Sequence, residues 1–169
     1  MDHLWTPWRM PYLSGEHEKP DGCVFCLENV DNDSENHIFY RGKRCFIILN
    51  RFPYNTGHLM VIPYAHVPTL EVLDAETLAE VMSLAQLSLR VLRETYGPQG
   101  FNLGVNIGEA AGAGVAEHIH LHIVPRWNGD TNYMTIVGKT RVIPEWLDQM
   151  YERLAPLFED AARERKEQL

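Results

Sequence analysis

The chain has 169 residues, 45% apolar and 22% charged, enough to build the core of one soluble globular unit. Its formal net charge of −8 lacks the basic field that nucleic acid requires, although a local cluster of donors can still hold a small anion. No stretch reaches the roughly 18 apolar residues of a membrane span, and "MDHLWTPWRMPY" lacks the basic-then-apolar layout of a secretory signal, so a cytoplasmic protein without a membrane partner is expected.

Residues 1–36 read as an irregular arm, punctuated by prolines and by the polar stretches "SGEHEKPDG" and "ENVDNDSEN". "HIFYRGKRCFIILN" predicts two strands about a turn at Arg41-Gly42-Lys43, with Cys45 in the core. "NRFPYNTG" is a turn-rich connection, and "HLMVIP" a short buried strand closed by Pro63. Residues 75–96 are a helix with Asp74 as N-cap, and Gly97-Pro98 stops it. Its expected buried stripe is Leu78, Val81, Met82, Ala85, Leu89, Leu92 and Tyr96. "FNLGVNIG" and "HIHLHIVP" return to strand periodicity, and Pro144 opens a last helix, 144–169, disturbed at Pro156. With no repeat and no linker, residues 1–169 form a single α+β domain whose sheet is largely antiparallel.

"AGAGVAEHIHLHIVPRW", residues 111–127, sets His118, His120 and His122 at every second position. On a strand they share one face, with Ile119, Leu121 and Ile123 on the other. Imidazole is the one side chain that titrates near neutrality unaided, and three in register point to a metal site, a phosphate site or a nucleophile with helpers. Gly108, Gly112 and Gly114 just before the row admit a backbone N–H nest that suits phosphate and repels a cation; a plain flexible hairpin is the bland alternative. Cys23 and Cys26 in "GCVFC" supply half of a tetrahedral zinc site. A redox pair, which should open a helix after a strand, and two buried thiols remain the competing readings.

"HIHLHIVPRW" resembles the alternating signature of the histidine-triad superfamily, and the similarity runs through "NRFPYNTGHLMVIPYAH", "FNLGVNIG" and "PRWNGDTN", a core of residues 37–135. The resemblance implies a mainly antiparallel five-stranded sheet with one long helix and a C-terminal helix, continued across a homodimer. It also implies a nucleotidyl hydrolase or transferase acting at the α-phosphate, with a nucleotide as the small-molecule substrate and no catalytic metal. "LWTPWRMPYL" and "AEHIHLHIVPRWNGD" are similar to the branch that cleaves dinucleoside polyphosphates such as diadenosine tetraphosphate. By that resemblance His120 is the nucleophile, while His122 and His58 contact phosphate oxygens and the leaving group. Asn50 holds the ribose, and Asn106 with the Gly112, Ala113, Gly114 and Val115 backbone binds phosphate. Relatives complete a structural zinc site from the Cys pair and two histidines, which here correspond to His66 and His118.

One departure stands out. Many relatives carry Gln, Ser or Thr just before the row, where this chain has Ala113, Gly114 and Val115, which leaves water or phosphate open as acceptor. Trp5, Trp8 and Trp127 suit adenine stacking or interface packing, and Arg126, Lys139 and Arg141 suit distal phosphates or plain solvation; His3, His17 and His37 show no pattern. Three rival functions remain at this level: an AMP-amide or acyl-AMP hydrolase, a non-catalytic adenine nucleotide-binding module, and a zinc hydrolase with all three histidines on the metal.

Overall fold

A computed structural model of the protein describes residues 22–27, 31–131, 143 and 145–167. The expectations for His3, Trp5, Trp8, His17, Lys139, Arg141 and Pro144 fall outside these residues. Among its described residues the arm holds an element that its composition concealed, the single helical turn α1 (Asp33–Asn36), where the Asn32 side chain accepts from the Glu35 N–H. Five strands follow: β1 (Ile38–Arg41), β2 (Cys45–Leu49), β3 (Leu59–Pro63), β4 (Gly100–Val105) and β5 (Leu121–Arg126). They form one sheet in the order β1-β2-β3-β5-β4, and every neighbouring pair is antiparallel.

The strands alternate between two cores. Cys45, Ile47, Leu49, Leu59, Val61, Leu121 and Ile123 point to the helical side, with Leu84, Val91 and Leu92 of α2 (Ala75–Tyr96) and Met150, Leu154 and Phe158 of α3 (Leu147–Glu167). Ile38, Phe46, Ile48, Met60 and Ile62 form a smaller cluster on the opposite face, flanked by Phe25, Leu27 and Tyr64. All five residues of β3 are buried, because both of its faces are covered.

Helix α2 starts and stops as expected: Asp74 accepts from the Thr77 N–H, and Gly97 closes it at φ 56°. Its buried face differs. Leu78 and Met82 are exposed, and Thr77, Leu84, Leu87, Ser88 and Val91 are buried with Val81, Ala85 and Leu92. The helix carries two overlapping apolar stripes, and the sheet selects the one that meets β2, β3 and β5. Helix α3 runs unbroken through Pro156. Pro156 and Glu152 both face solvent, so the carbonyl left without an N–H partner can reach water, and the buried side keeps its packing. No helix among the described residues is long and apolar enough to cross a membrane.

Candidate functional site

Met60 of β3 pairs directly with His122 of β5, so the two side chains share the face turned away from the helices. His58, two residues before Met60, lies on that face as well. It ends a loop, residues 50–58, that closes on itself: the Asn50 N–H donates to the His58 carbonyl and the His58 N–H to the Asn55 carbonyl. Gly57 permits the turn with φ 71°, and an added Cβ there would press on Leu92 and Tyr96.

Of the three row histidines only His122 lies within β5; His118 and His120 precede it. Pairing with both neighbours stops at Leu121, opposite Val61 of β3 and Val105 of β4. The Pro63 carbonyl takes a ring hydrogen bond from His118, and the Ile119 N–H turns to the Val67 carbonyl. The alternation persists all the same. His118, His120, His122 and His58 are buried, and the His120 and His122 ring centroids lie 4.7 Å apart.

Backbone partners assign each ring proton. The His118 Nε2–H donates to the Pro63 carbonyl at 2.8 Å, which leaves its Nδ1 lone pair open. The His120 Nδ1–H donates to the His118 carbonyl at 2.9 Å, which leaves the Nε2 lone pair open. The Tyr54 N–H donates to His58 Nδ1 at 3.0 Å, so the His58 proton sits on Nε2 and passes to His122 Nδ1 at 2.9 Å. The remaining His122 proton is then on Nε2, a buried atom with no partner among the described residues. The face thus offers one nucleophilic nitrogen beside one N–H donor, the pair that attack on a charged phosphoryl group requires.

All of these rings are held neutral. Burial, then the neighbouring His122 and His120, pushes His58 down to about 3. Burial, then His120, pushes His122 down to about 4. His120 is lowered by burial, opposed by its bond to the His118 carbonyl. A neutral His120 keeps its lone pair at physiological pH, and a neutral His122 donates without repelling a metal or a proton nearby.

At the other end of the row Cys23, Cys26, His66 and His118 converge, with ligand atoms all within 4.8 Å of one another. His118 Nδ1 lies 3.3 Å from Cys23 Sγ and 3.9 Å from Cys26 Sγ, and His66 Nδ1 lies 3.4 Å from Cys26 Sγ. Zinc bonds of about 2.0–2.3 Å set tetrahedral ligand atoms roughly 3.5 Å apart, so two sulfurs and two ring nitrogens at these separations fit that ion. The open lone pair of His118 is the one that faces the thiols. Cys45 stays apart in the core, its thiol pushed up to about 12 by burial, with Glu80 adding to it.

The other expected residues are placed as follows. Asn50 is buried; its Oδ1 accepts from the Phe52 N–H, and its Nδ2 lies 3.4 Å from each ring nitrogen of His58. Asn106 follows β4, half-buried. The glycine segment is less open than a four-amide nest: the Gly112 and Ala113 N–H groups donate to the Glu109 and Gly108 carbonyls. Among the described residues the Gly114 and Val115 amides make no such bond, so two amides rather than four remain for an anion. Arg126 is committed elsewhere, bidentate to Asp130 at 2.6 and 2.8 Å and bonded to Asn102. His37 bonds Asp148 of α3 at 2.9 Å. Sequence reasoning missed Tyr54, Asn55 and Asp130; the Asn-Thr-Gly turn directly after Tyr54 and the Asn-Gly-Asp turn ending at Asp130 were the available signal.

A family model described as HIT domain matches residues 31–129. An AP-4-A phosphorylase of Mycobacterium tuberculosis is 42% identical over 162 residues, covering 92% of this chain and 83% of that one. Adenylylsulfatase HINT3 of Arabidopsis thaliana is 37% identical over 108 residues, 64% of this chain and 54% of that one. The crystal structure of a Zn-bound histidine triad family protein from Mycobacterium smegmatis superposes with a TM-score of 0.67 at 31% identity, covering 84% of this chain and 96% of that one.

Proposed function

This chain belongs to the HIT domain family, and we propose that it cleaves dinucleoside polyphosphates of the diadenosine tetraphosphate type at an α-phosphorus, with inorganic phosphate as the final acceptor. The observation that carries the reading is the bond from His120 Nδ1 to the His118 carbonyl, which leaves Nε2 free to attack. A P–N bond forms at Nε2, the P–O bond to the bridging oxygen breaks, and ATP departs with the electron pair. The ring becomes cationic, and its Nδ1–H bond to the carbonyl strengthens as it does. His122 Nε2–H serves a non-bridging oxygen, whose charge grows in the transition state. A phosphate oxygen then attacks the same phosphorus, ADP leaves, and His120 returns to neutrality. In this reading Asn50 holds the ribose, and Asn106 with the Gly114 and Val115 amides binds the phosphates. His58 acts through His122.

The departure at Ala113, Gly114 and Val115 favours a polyphosphate over an amide. A phosphate's last ionisation lies at about pH 6, so a departing polyphosphate needs little help from an acid. A departing amine is strongly basic and does need one, and these three side chains have no proton to give. The similarity to a phosphorylase at 42% identity supports phosphate as acceptor.

Zinc on Cys23, Cys26, His66 and His118 supplies structure in this proposal, cross-linking the segment before β1 to the histidine row, and thiolate ligands suit a cytoplasmic location. A homodimer through β4 completes the proposal: β4 is an edge strand, and Leu103 on it and Ile107 just beyond it are exposed.

The test is product analysis of diadenosine tetraphosphate with and without inorganic phosphate. ATP plus ADP, dependent on phosphate, is the expected result. ATP plus AMP would make water the acceptor, and no cleavage would overturn the proposal in favour of a binding module.

A further inference from the structure

The proton order along His58 and His122 has two arrangements, each with one hydrogen bond between the rings. In one, His58 Nε2–H donates to His122 Nδ1 and His122 presents an N–H to the site. In the other, His122 Nδ1–H donates back to His58 Nε2 and His122 presents a lone pair, which a phosphate oxygen would repel. Between the two rings nothing selects a direction. The selection comes from outside the pair: Asn50 Nδ2 lies equally far from both His58 nitrogens, at 3.4 Å, whereas the Tyr54 N–H donates to Nδ1 alone at 3.0 Å and would meet a second hydrogen head-on in the reversed order.

What holds that N–H in place is a clamp that the histidine rings do not enter. Asn55 is buried and bonded at both ends. Its carbonyl accepts the His58 N–H, and its side-chain amide donates to the Pro125 carbonyl and to Asp130 Oδ2, each at 3.0 Å. The Asp130 carboxylate is itself oriented by the bidentate Arg126 guanidinium and by the Trp127 N–H. The loop before β3 is thereby fastened to the end of β5, the strand that carries His122, and to the chain just after it.

We propose that Asn55 and Asp130 are positioning residues for the histidine row, holding the Tyr54 N–H on His58 Nδ1 so that this one donor sets the ring protons of both His58 and His122. The geometry stands by itself; the effect on rate rests on the phosphoryl-transfer reading above.

The experiment reads histidine tautomers by long-range proton–nitrogen NMR on the full-length, unliganded protein at pH 7, in the wild type and in Asn55→Ala and Asp130→Asn. Both histidines of the wild type are expected as Nε2–H tautomers. Asn55→Ala brings in the Nδ1–H form at both rings and lowers kcat about tenfold with KM nearly unchanged. Asp130→Asn, which keeps the size of the side chain, does the same to a smaller degree, and it carries the test should Asn55→Ala fail to fold. An Nδ1–H tautomer in the wild type, or a single unchanged tautomer in a folded variant, would overturn the proposal. Ordered tautomers that respond to the variants in a protein that cleaves no dinucleoside polyphosphate would uphold the positioning role while removing the proposed function.

Discussion

His118 and His122 stand four residues apart on one face, yet they present opposite chemistry. At His118 the fixed partner is an acceptor, the Pro63 carbonyl, and the ring's other nitrogen is left with a lone pair facing two thiols. At His122 the order traces back to a donor, the Tyr54 N–H, and the ring's other nitrogen is left with a proton. His120 between them takes the first pattern, with its lone pair on Nε2 rather than Nδ1. In the proposed reading one residue type thus serves as metal ligand, nucleophile and hydrogen-bond donor, and the backbone group that fixes each ring's proton decides which. This is the outer-partner logic of metal-bound histidines, extended to a row in which one ring faces the thiols of Cys23 and Cys26.

The contrast can be broken at each ring, and the expected effects fall in order. His120→Ala removes the only group proposed to bond phosphorus, so turnover should fall on the order of 10⁴-fold or more, measured as ATP release, with the NMR fingerprint of the fold retained. His122→Ala removes a donor to a charge that grows during reaction, and kcat should fall about 10²–10³-fold with a smaller change in KM. Cys23→Ser acts at the opposite end. It should abolish stoichiometric zinc in metal analysis and lower the melting temperature, while activity falls only about 10–100-fold through the loosened His118 carbonyl. Loss of all turnover in a folded, metal-free Cys23→Ser protein would merge the two ends that the geometry separates.

The smallest effect is on pH dependence. His58 and His122 are held neutral in the fold at pKa values of about 3 and about 4, whereas an unfolded histidine takes its proton near about 6.5. Below that pH the unfolded chain binds more protons than the folded one, so stability must drop as pH falls from about 6.5 toward 4 and level off above neutrality. Denaturant titrations across this range check the sign. A His58→Asn, His122→Asn double variant should flatten the slope.

What was legible follows from range along the chain. The alternation of His118, His120 and His122 is a local strand period, and it stayed visible even though the strand begins only at Leu121. The caps of α2 are equally local, and both hold. The buried face of α2 was harder: Leu78 and Met82 recur at helical steps as well as Leu84 and Val91 do, and only contact with the sheet separates them. The proton order was out of reach, because carbonyls of residues 63 and 118 and the N–H of residue 54 carry no side-chain signature. Asn55 and Asp130 lie 75 residues apart and meet only because β3 and β5 are neighbours. The zinc set was read through resemblance from "GCVFC" and the histidines, and the four side chains do converge.

The most direct test of the mechanism is to mix the protein briefly with diadenosine tetraphosphate in phosphate-free buffer, quench in base, and map AMP by mass spectrometry. An adenylyl group on His120, discharged as ADP when phosphate is restored, is the expected result. Turnover that proceeds with no adduct on His120, or with AMP bound to another residue, would contradict it.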